Sequence, residues 1–399
     1  GMMGNMMNFL AYFFMGIPAG NMLVKIGYKK TALIAMAVGV LGLFTQFLSS
    51  KIGAEVDVFA FGGFTIKLNF IIYLLGAFIC GFCVCMLNTV VNPMLNLLGG
   101  GGNKGNQLIQ TGGALNSLSG TLTPLFVGAL IGTVTAQTTM TDIAPLLFIA
   151  MGVFATAFIV ISFLSIPEPH LQKGGSIKEK FSHSPWSFRH TVLGVIGIFI
   201  YVGVEIGIPG TLNFYLADAS EKGAGLLTNG AAIGGAIAAI YWLLMLVGRS
   251  ISSAISGKVS SRTQLIVVSA TAILFILIAI FTPKTVTISM PGYSVTDGFN
   301  MSQVPLSAMF LVLCGLCTSV MWGGIFNLAV EGLGKYTAQA SGIFMMMVVG
   351  GGILPLVQQF ISDSVGYMAS YWLMIAALIY LLYYGLVGCK NVNKDIPVE

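Results

Sequence analysis

Long apolar stretches separated by short polar breaks make up most of this chain. A bilayer core about 30 Å thick needs roughly 20 apolar residues per helical crossing. By that measure the pattern predicts eleven membrane-spanning helices, at 6–24, 32–49, 70–97, 106–133, 143–166, 190–216, 227–248, 264–282, 303–330, 337–361 and 367–388. Several contain proline, at Pro18, Pro93, Pro124, Pro209 and Pro355. A membrane helix tolerates this where its neighbours satisfy the freed backbone groups. The longest polar interruption, 167–189, divides the chain into an N-terminal bundle (1–166), a linker (167–189), a C-terminal six-helix bundle (190–388) and a short tail (389–399).

The two bundles carry similar features at similar spacing. Gly120 and Pro124 are repeated by Gly351 and Pro355, the prolines 231 residues apart. The segment around Asn92 (NTVVNPM) and that around Asn327 (WGGIFNLAV) are 235 apart, and the short breaks GYKK (27–30) and SSRT (260–263) are 233 apart. Three similar offsets in order predict a duplicated helical unit.

Composition turns this pattern into a statement about solvent. Hydrophobic residues make up 56% and charged residues 8%, against about 25% charged in a soluble domain. Such a chain cannot cover itself in water, so its surroundings are the lipid bilayer. The fold class is an all-α polytopic membrane protein. Five of the six cysteines lie inside apolar runs and the sixth at the end of one, where they read as packing residues rather than a disulfide or metal set.

Charge sets the orientation. With the break after the first span on the cytoplasmic side, fourteen of the 18 Lys and Arg fall in cytoplasmic segments and four (Lys51, Lys67, Lys222, Lys284) outside. The C-terminus is then cytoplasmic and the N-terminus outside. An outside start with a first residue other than Met predicts one further helix ahead of residue 1, which makes six plus six.

Two breaks share a glycine-plus-basic pattern: GNMLVKIGYKK (20–30) and GRSISSAISGKVSSR (248–262). Together with the duplicated halves and basic central linker, they resemble the major facilitator superfamily, although the acid of its motif is Val24 here. Closer likenesses are NTVVNPMLNLLG (88–99) with ALNSLSG (114–120), YFFMGIPAGNMLVKIGYKK (12–30), and the segment 325–366. These resemble the fucose/galactose/glucose:proton symporters over essentially the whole chain. The resemblance implies two helical bundles related by a pseudo-two-fold axis, and import of a neutral monosaccharide by alternating access, with a proton as coupling ion. It also implies that Asn88 stands where that family carries a glutamate implicated in coupling. Sodium coupling, uncoupled passage and a non-transporting sugar sensor are the alternatives.

Glu205 is the one acid of 13 near the middle of a span. A charge there costs roughly 2.5–3.5 kcal/mol on insertion scales. It must be neutralised by a proton or satisfied by a partner, and either condition makes it a candidate proton-coupling residue; a hydrogen-bonded structural acid is the alternative. Amides suit a neutral polyol because they both donate and accept. Asn88, Asn92, Asn116 and Asn327 are the candidate sugar contacts, against a role in holding helices together. A pyranose also has an apolar C–H face that stacks on aromatic rings. Among the aromatics of the second half, Trp322 and Tyr241 sit deepest and are the candidates. Lys25 and Arg249, at the starts of cytoplasmic breaks, are candidate gate residues.

The remaining signals exclude other classes. GGGGNKGN (99–106) lacks the Ser or Thr of a nucleotide-binding loop. His170, His183 and His190 lie in or beside the linker, so no metal site or cofactor is expected. With its acids scattered, the chain reads as a transporter rather than an enzyme, with no nucleic-acid partner, as a multi-pass monomer of the plasma (inner) membrane.

Overall fold

The computed structural model describes residues 2–61, 64–131, 140–168, 182–226, 230–294 and 298–398. Among them nine helices are long and apolar enough to cross a membrane, against eleven predicted stretches. Two features account for the difference. The first helix, α1 (Met2–Leu48), runs 47 residues, about 70 Å at 1.5 Å per residue, and so holds two of the stretches. The stretch at 106–133 forms α3 (Gly102–Ile131), whose side chains from residue 120 on fall outside the described ones, so it is not counted among the nine.

The two arms of α1 meet at Gly27, whose φ of 84° suits only glycine. This break exposes the amides that begin the second arm. Glu168 occupies them, accepting hydrogen bonds from the N–H groups of Tyr28 and Lys29 at 2.8 Å each. A carboxylate at a helix start is electrostatically favoured. The ammonium of Lys29 reaches the carbonyls of Ser162 and Leu164, each at 2.8 Å. Glu168 lies at the start of the predicted linker, of which 169–181 fall outside the described residues.

The other helices of the first bundle are α2 (Leu68–Leu98) and α4 (Met140–Phe163). The second bundle contains α5 (Arg189–Ala217), α6 (Gly230–Ile255), α7 (Ser261–Phe281), α8 (Leu306–Val330), α9 (Thr337–Met346), α10 (Gly350–Val365) and α11 (Tyr367–Tyr383). The pair α9–α10 is the single predicted stretch 337–361, interrupted by a 3-10 turn at Met347–Val349. Helix α6 runs seven residues beyond the predicted end at 248, which carries Arg249 into the helix and out of the loop expected there.

Two antiparallel hairpins were not legible as apolar stretches. β1 (Asp57–Phe61) pairs with β2 (Phe64–Lys67), and β3 (Thr287–Ser294) with β4 (Gly298–Pro305). The predicted stretch 303–330 therefore begins inside β4. Each hairpin occupies the same place in its bundle, the first between α1 and α2, the second between α7 and α8.

The duplication extends to the contacts between bundles, in a register of 231 residues. Asn96 Nδ2 donates to Asn327 Oδ1 at 2.8 Å, so these two equivalent residues meet each other. Gln110 Nε2 donates to the carbonyl of Val320 at 2.9 Å, and Ser341 Oγ to the carbonyl of Thr89 at 3.1 Å. Positions 110 and 341, and 89 and 320, are each 231 apart, so each bond is the pseudo-symmetric image of the other. Asn327 thus corresponds to Asn96, four residues on from the Asn92 suggested by its surroundings in sequence. The positive φ of Gly101 (76°) and Gly332 (71°) keeps the same register.

Two further helix pairs join the bundles. Helix α1 meets α9 through glycines. A Cβ on Gly342 would lie 2.5 Å from the carbonyl oxygen of Gly16 and 2.7 Å from the Cα of Gly20, so the backbones approach as closely as bare hydrogens allow. Helix α3 meets α6 through polar side chains, Asn106 Nδ2 to Ser256 Oγ at 2.8 Å and Thr111 Oγ1 with Ser253 Oγ at 2.6 Å. All these groups lie near the basic-loop side, the side of Lys29, Lys104, Lys258 and Lys335.

Candidate functional site

Just beyond these contacts, between the bundles, lies a cavity of about 710 Å³. Its walls come from both bundles: Tyr12 of α1, Asn88 and Asn92 of α2, Gly113, Asn116 and Ser117 of α3, Tyr201 and Glu205 of α5, Trp242 and Arg249 of α6, and Trp322 of α8. The first bundle contributes amides and a phenol. The second contributes large aromatic rings and an ion pair.

Arg249 is the centre of the polar network. Its guanidinium lies 3.3 Å from Glu205 Oε1, with the two side chains only 11% and 14% exposed. It donates also to the carbonyl of Gly113 at 3.1 Å, to Ser117 Oγ at 2.6 Å and to the carbonyl of Ser319 at 3.3 Å. One fork therefore ties α3 of the first bundle to α5, α6 and α8 of the second. Such a spread uses the planar, multi-donor geometry that separates arginine from lysine. The pair brings no net charge into the cavity, and Glu205 has its counter-charge from a group that also bridges the bundles.

The amides divide by what already holds them. Asn88 Nδ2 donates to Tyr12 Oη at 2.6 Å. Asn92 Nδ2 donates to the carbonyl of Asn88 at 2.8 Å, while its oxygen accepts the indole N–H of Trp322 at 3.3 Å. Asn116 is exposed to the cavity and makes no hydrogen bond among the described residues. The Trp322 ring also lies against Tyr201, centroids 6.1 Å apart.

Six of the candidates from sequence thus come together here: Asn88, Asn92, Asn116, Trp322, Glu205 and Arg249. Three do not. Tyr241 is buried behind the wall, its hydroxyl bonded to Thr318 Oγ1 at 2.7 Å, and its neighbour Trp242 takes the cavity position. One residue along a helix is a turn of about 100°, a step that apolar depth alone does not resolve. Asn327 is buried between Asn96 and Ser261, to whose hydroxyl it donates at 2.8 Å. Lys25 is exposed on α1, two residues before the Gly27 break. Reading by residue type missed Ser117 and Tyr12, which have no distinguishing signal in one sequence. His190 serves the fold, its Nε2 lying 2.9 Å from the carbonyl of Glu331.

The sequence pattern of the Major Facilitator Superfamily matches residues 2–355, and the chain belongs to that superfamily. It is similar to the glucose/galactose transporter of Brucella abortus, 30% identical over 389 residues that cover 96% of this chain and 84% of that protein. It is also similar to a putative glucose/galactose transporter of Helicobacter pylori, 27% identical over 400 residues (96% and 86%). The L-fucose-proton symporter of Escherichia coli is 23% identical over 392 residues (90% and 77%). In structure, the fold matches the E. coli fucose:proton symporter in the outward conformation, with a TM-score of 0.76 at 18% identity over 96% of this chain and 88% of that one. The resemblance to the sugar:proton symporters therefore holds, and the chain is a membrane transporter rather than an enzyme.

Proposed function

We propose that this protein carries a neutral monosaccharide of the glucose/galactose class across the plasma (inner) membrane by alternating access, with a proton taken up at Glu205 as the coupling ion. The observation that carries this reading is the cavity between the bundles, walled by amides on one side and indole and phenol rings on the other, with the one acid and one base among its described lining residues compensating each other. Amides match ring hydroxyls, aromatic faces match the C–H face of a pyranose, and a neutral wall suits a neutral solute. The names of the similar proteins support the same substrate class.

On this reading the segments 1–166 and 190–388 are the rocking halves, 167–189 tethers them on the cytoplasmic side, and the tail 389–399 is cytoplasmic. Asn116 and Asn88 hold sugar hydroxyls, Trp322 and Trp242 its apolar face. Arg249 closes the cytoplasmic floor. A proton on Glu205 removes the counter-charge that orients Arg249, which loosens its hold on α3 and lets the floor open with the sugar bound. Uncoupled passage is the second reading. Asn88, which cannot titrate, and the compensated Glu205–Arg249 pair favour it.

The deciding experiment is uptake of labelled monosaccharides into proteoliposomes under an imposed pH gradient, with and without sodium. Accumulation against the sugar gradient that follows the proton gradient is expected. For Glu205→Gln, loss of accumulation with retained exchange of labelled for unlabelled sugar is expected. Accumulation by that variant equal to the native protein's would refute coupling at Glu205.

A further inference from the structure

We propose that Asn92 is a positioning residue for Trp322. From the first bundle it pins the indole of the second, so the aromatic wall of the sugar site is complete only while the bundles are closed on the basic-loop side. The inference rests on the sugar-transport reading and assigns Asn92 a different task within it.

Asn92 is only 8% exposed, and its polar atoms are largely committed. Its oxygen holds the Trp322 N–H, and one amide hydrogen goes to the carbonyl of Asn88. Little remains to offer a ligand, in contrast to Asn116 across the cavity. Trp322 is held at two points, the ring against Tyr201 and the N–H by Asn92. An indole with three rotamers about its first side-chain bond loses that freedom when both are in place.

Symmetry separates this contact from three other hydrogen bonds between the bundles. The hydrogen bonds Gln110–Val320 and Ser341–Thr89 are images of each other, and Asn96–Asn327 is its own image. The register of 231 places Val91 where the image of Trp322 would stand, and Gly323 where that of Asn92 would stand. The Trp322–Asn92 bond therefore has no counterpart. Like the α3–α6 bonds of Asn106 and Thr111 it stands outside the matched set, but it does so at the cavity wall, where a single asymmetric ligand has to be read.

The consequence is a site whose affinity depends on conformation. When the bundles part on the basic-loop side, α2 and α8 separate, the indole loses its acceptor, and the ring is free to turn. Sugar then meets a less ordered wall in the state from which it is released.

A double-mutant cycle of Asn92→Leu and Trp322→Phe tests this, because phenylalanine keeps an aromatic ring but offers no N–H. Equilibrium binding of labelled glucose and galactose to the purified protein is the readout. Each single variant is expected to raise Kd about threefold to tenfold, the size of one lost neutral hydrogen bond, with KM raised and the maximal rate kept. The double variant is expected to be no worse than the weaker-binding single. Effects that multiply would overturn the proposal, since Asn92 would then touch sugar itself, as would a lowered maximal rate and melting temperature with KM unchanged. A second readout needs no sugar. With Trp186, Trp242 and Trp372 replaced by phenylalanine, Asn92→Leu is expected to lower the fluorescence anisotropy of Trp322. Unchanged anisotropy overturns the proposal even if binding fails. A native protein that binds no sugar while the anisotropy falls refutes the sugar reading and leaves the pinning in place.

Discussion

Arg249→Lys is the sharpest perturbation of this site, because it keeps the charge beside Glu205 and removes the fork. The guanidinium makes four bonds, two to α3 and one each to α5 and α8. An ammonium on one shorter-reaching point can face Glu205 or the Gly113–Ser117 pair, but not both with good geometry. The variant therefore loses about two hydrogen bonds from a charged donor, each worth about 1.5 kcal/mol at the low end. Cavity water that bridges to the vacated Gly113 carbonyl and Ser117 hydroxyl is nearly as good as a direct bond and offsets about half of the resulting 3 kcal/mol. About 1.5 kcal/mol remains, a tenfold change in an equilibrium constant. Both bonds to α3 exist only while α3 and α6 are together, so the loss falls on the state closed at the basic-loop side. The assay uses Val91→Cys, on the cavity wall, and a membrane-impermeant maleimide added from either face. Labelling from the basic-loop face is expected to rise about tenfold in the Arg249→Lys background. Unchanged labelling from both faces, with or without a lower melting temperature, would falsify the latch and leave Arg249 a structural cation.

Four other outcomes follow from the same geometry. Gly342→Val places side-chain carbon within 2.5 Å of the Gly16 carbonyl, so it should force α1 from α9 and raise labelling from the basic-loop face; unaltered labelling would mean the helices slide past the added bulk. Gln110→Leu and Ser341→Ala remove image-related bonds and should favour the opened state in the same direction, by about 1 kcal/mol each, measured by the same labelling; opposite directions would break the symmetry argument. Tyr241→Phe should lower stability by about 1 kcal/mol and leave sugar Kd unchanged, whereas Trp242→Ala should weaken binding, and equilibrium binding separates them. Outside the membrane, Asp218 accepts from the Ser220 N–H at 2.8 Å and from Tyr367 Oη at 3.2 Å. Its carboxyl is held below the usual range by the Ser220 hydroxyl and N–H, with Tyr367 adding to the effect. The stability it contributes is present above the ordinary carboxylate pKa and is lost as pH falls through the lower folded value. Asp218→Asn should therefore lower the melting temperature at neutral pH and lose that effect in strong acid; an effect independent of pH would assign it to the loop conformation alone.

The apolar stretches were sufficient to recover the membrane class and nearly every helix, because the cost of unsatisfied backbone in lipid leaves little choice of element. Where the reading stopped short, a different physics was in charge. The hairpins β1–β2 and β3–β4 lie in connections between helices, where alternation over four to eight residues is too short to stand out from loop. Hydropathy ends a span at the first charge and so predicts Arg249 in a loop, whereas the backbone of α6 continues in helix to Ile255 and lets a guanidinium find four acceptors inside the protein. Glu205 could be singled out alone, since an acid at mid-span demands an account; its partner could not, since a single sequence contains no distances. The amides show the limit most clearly. Asn96, Asn116 and Asn327 are the same residue type in similar apolar surroundings, yet two are spent on each other across the pseudo-two-fold axis and one faces the cavity. The register of 231 residues separates them. An amide whose image in the other bundle is also an amide, placed to meet it, is consumed by symmetry, as Asn96 and Asn327 are; one without such an image is either spent between the bundles on another partner, as Asn106 is on Ser256, or left facing the cavity, as Asn116 is. That register was within reach of the sequence, in NLLGGGGNK (96–104) against NLAVEGLGK (327–335), but a competing offset of four residues hid it until the hydrogen bonds chose between the two.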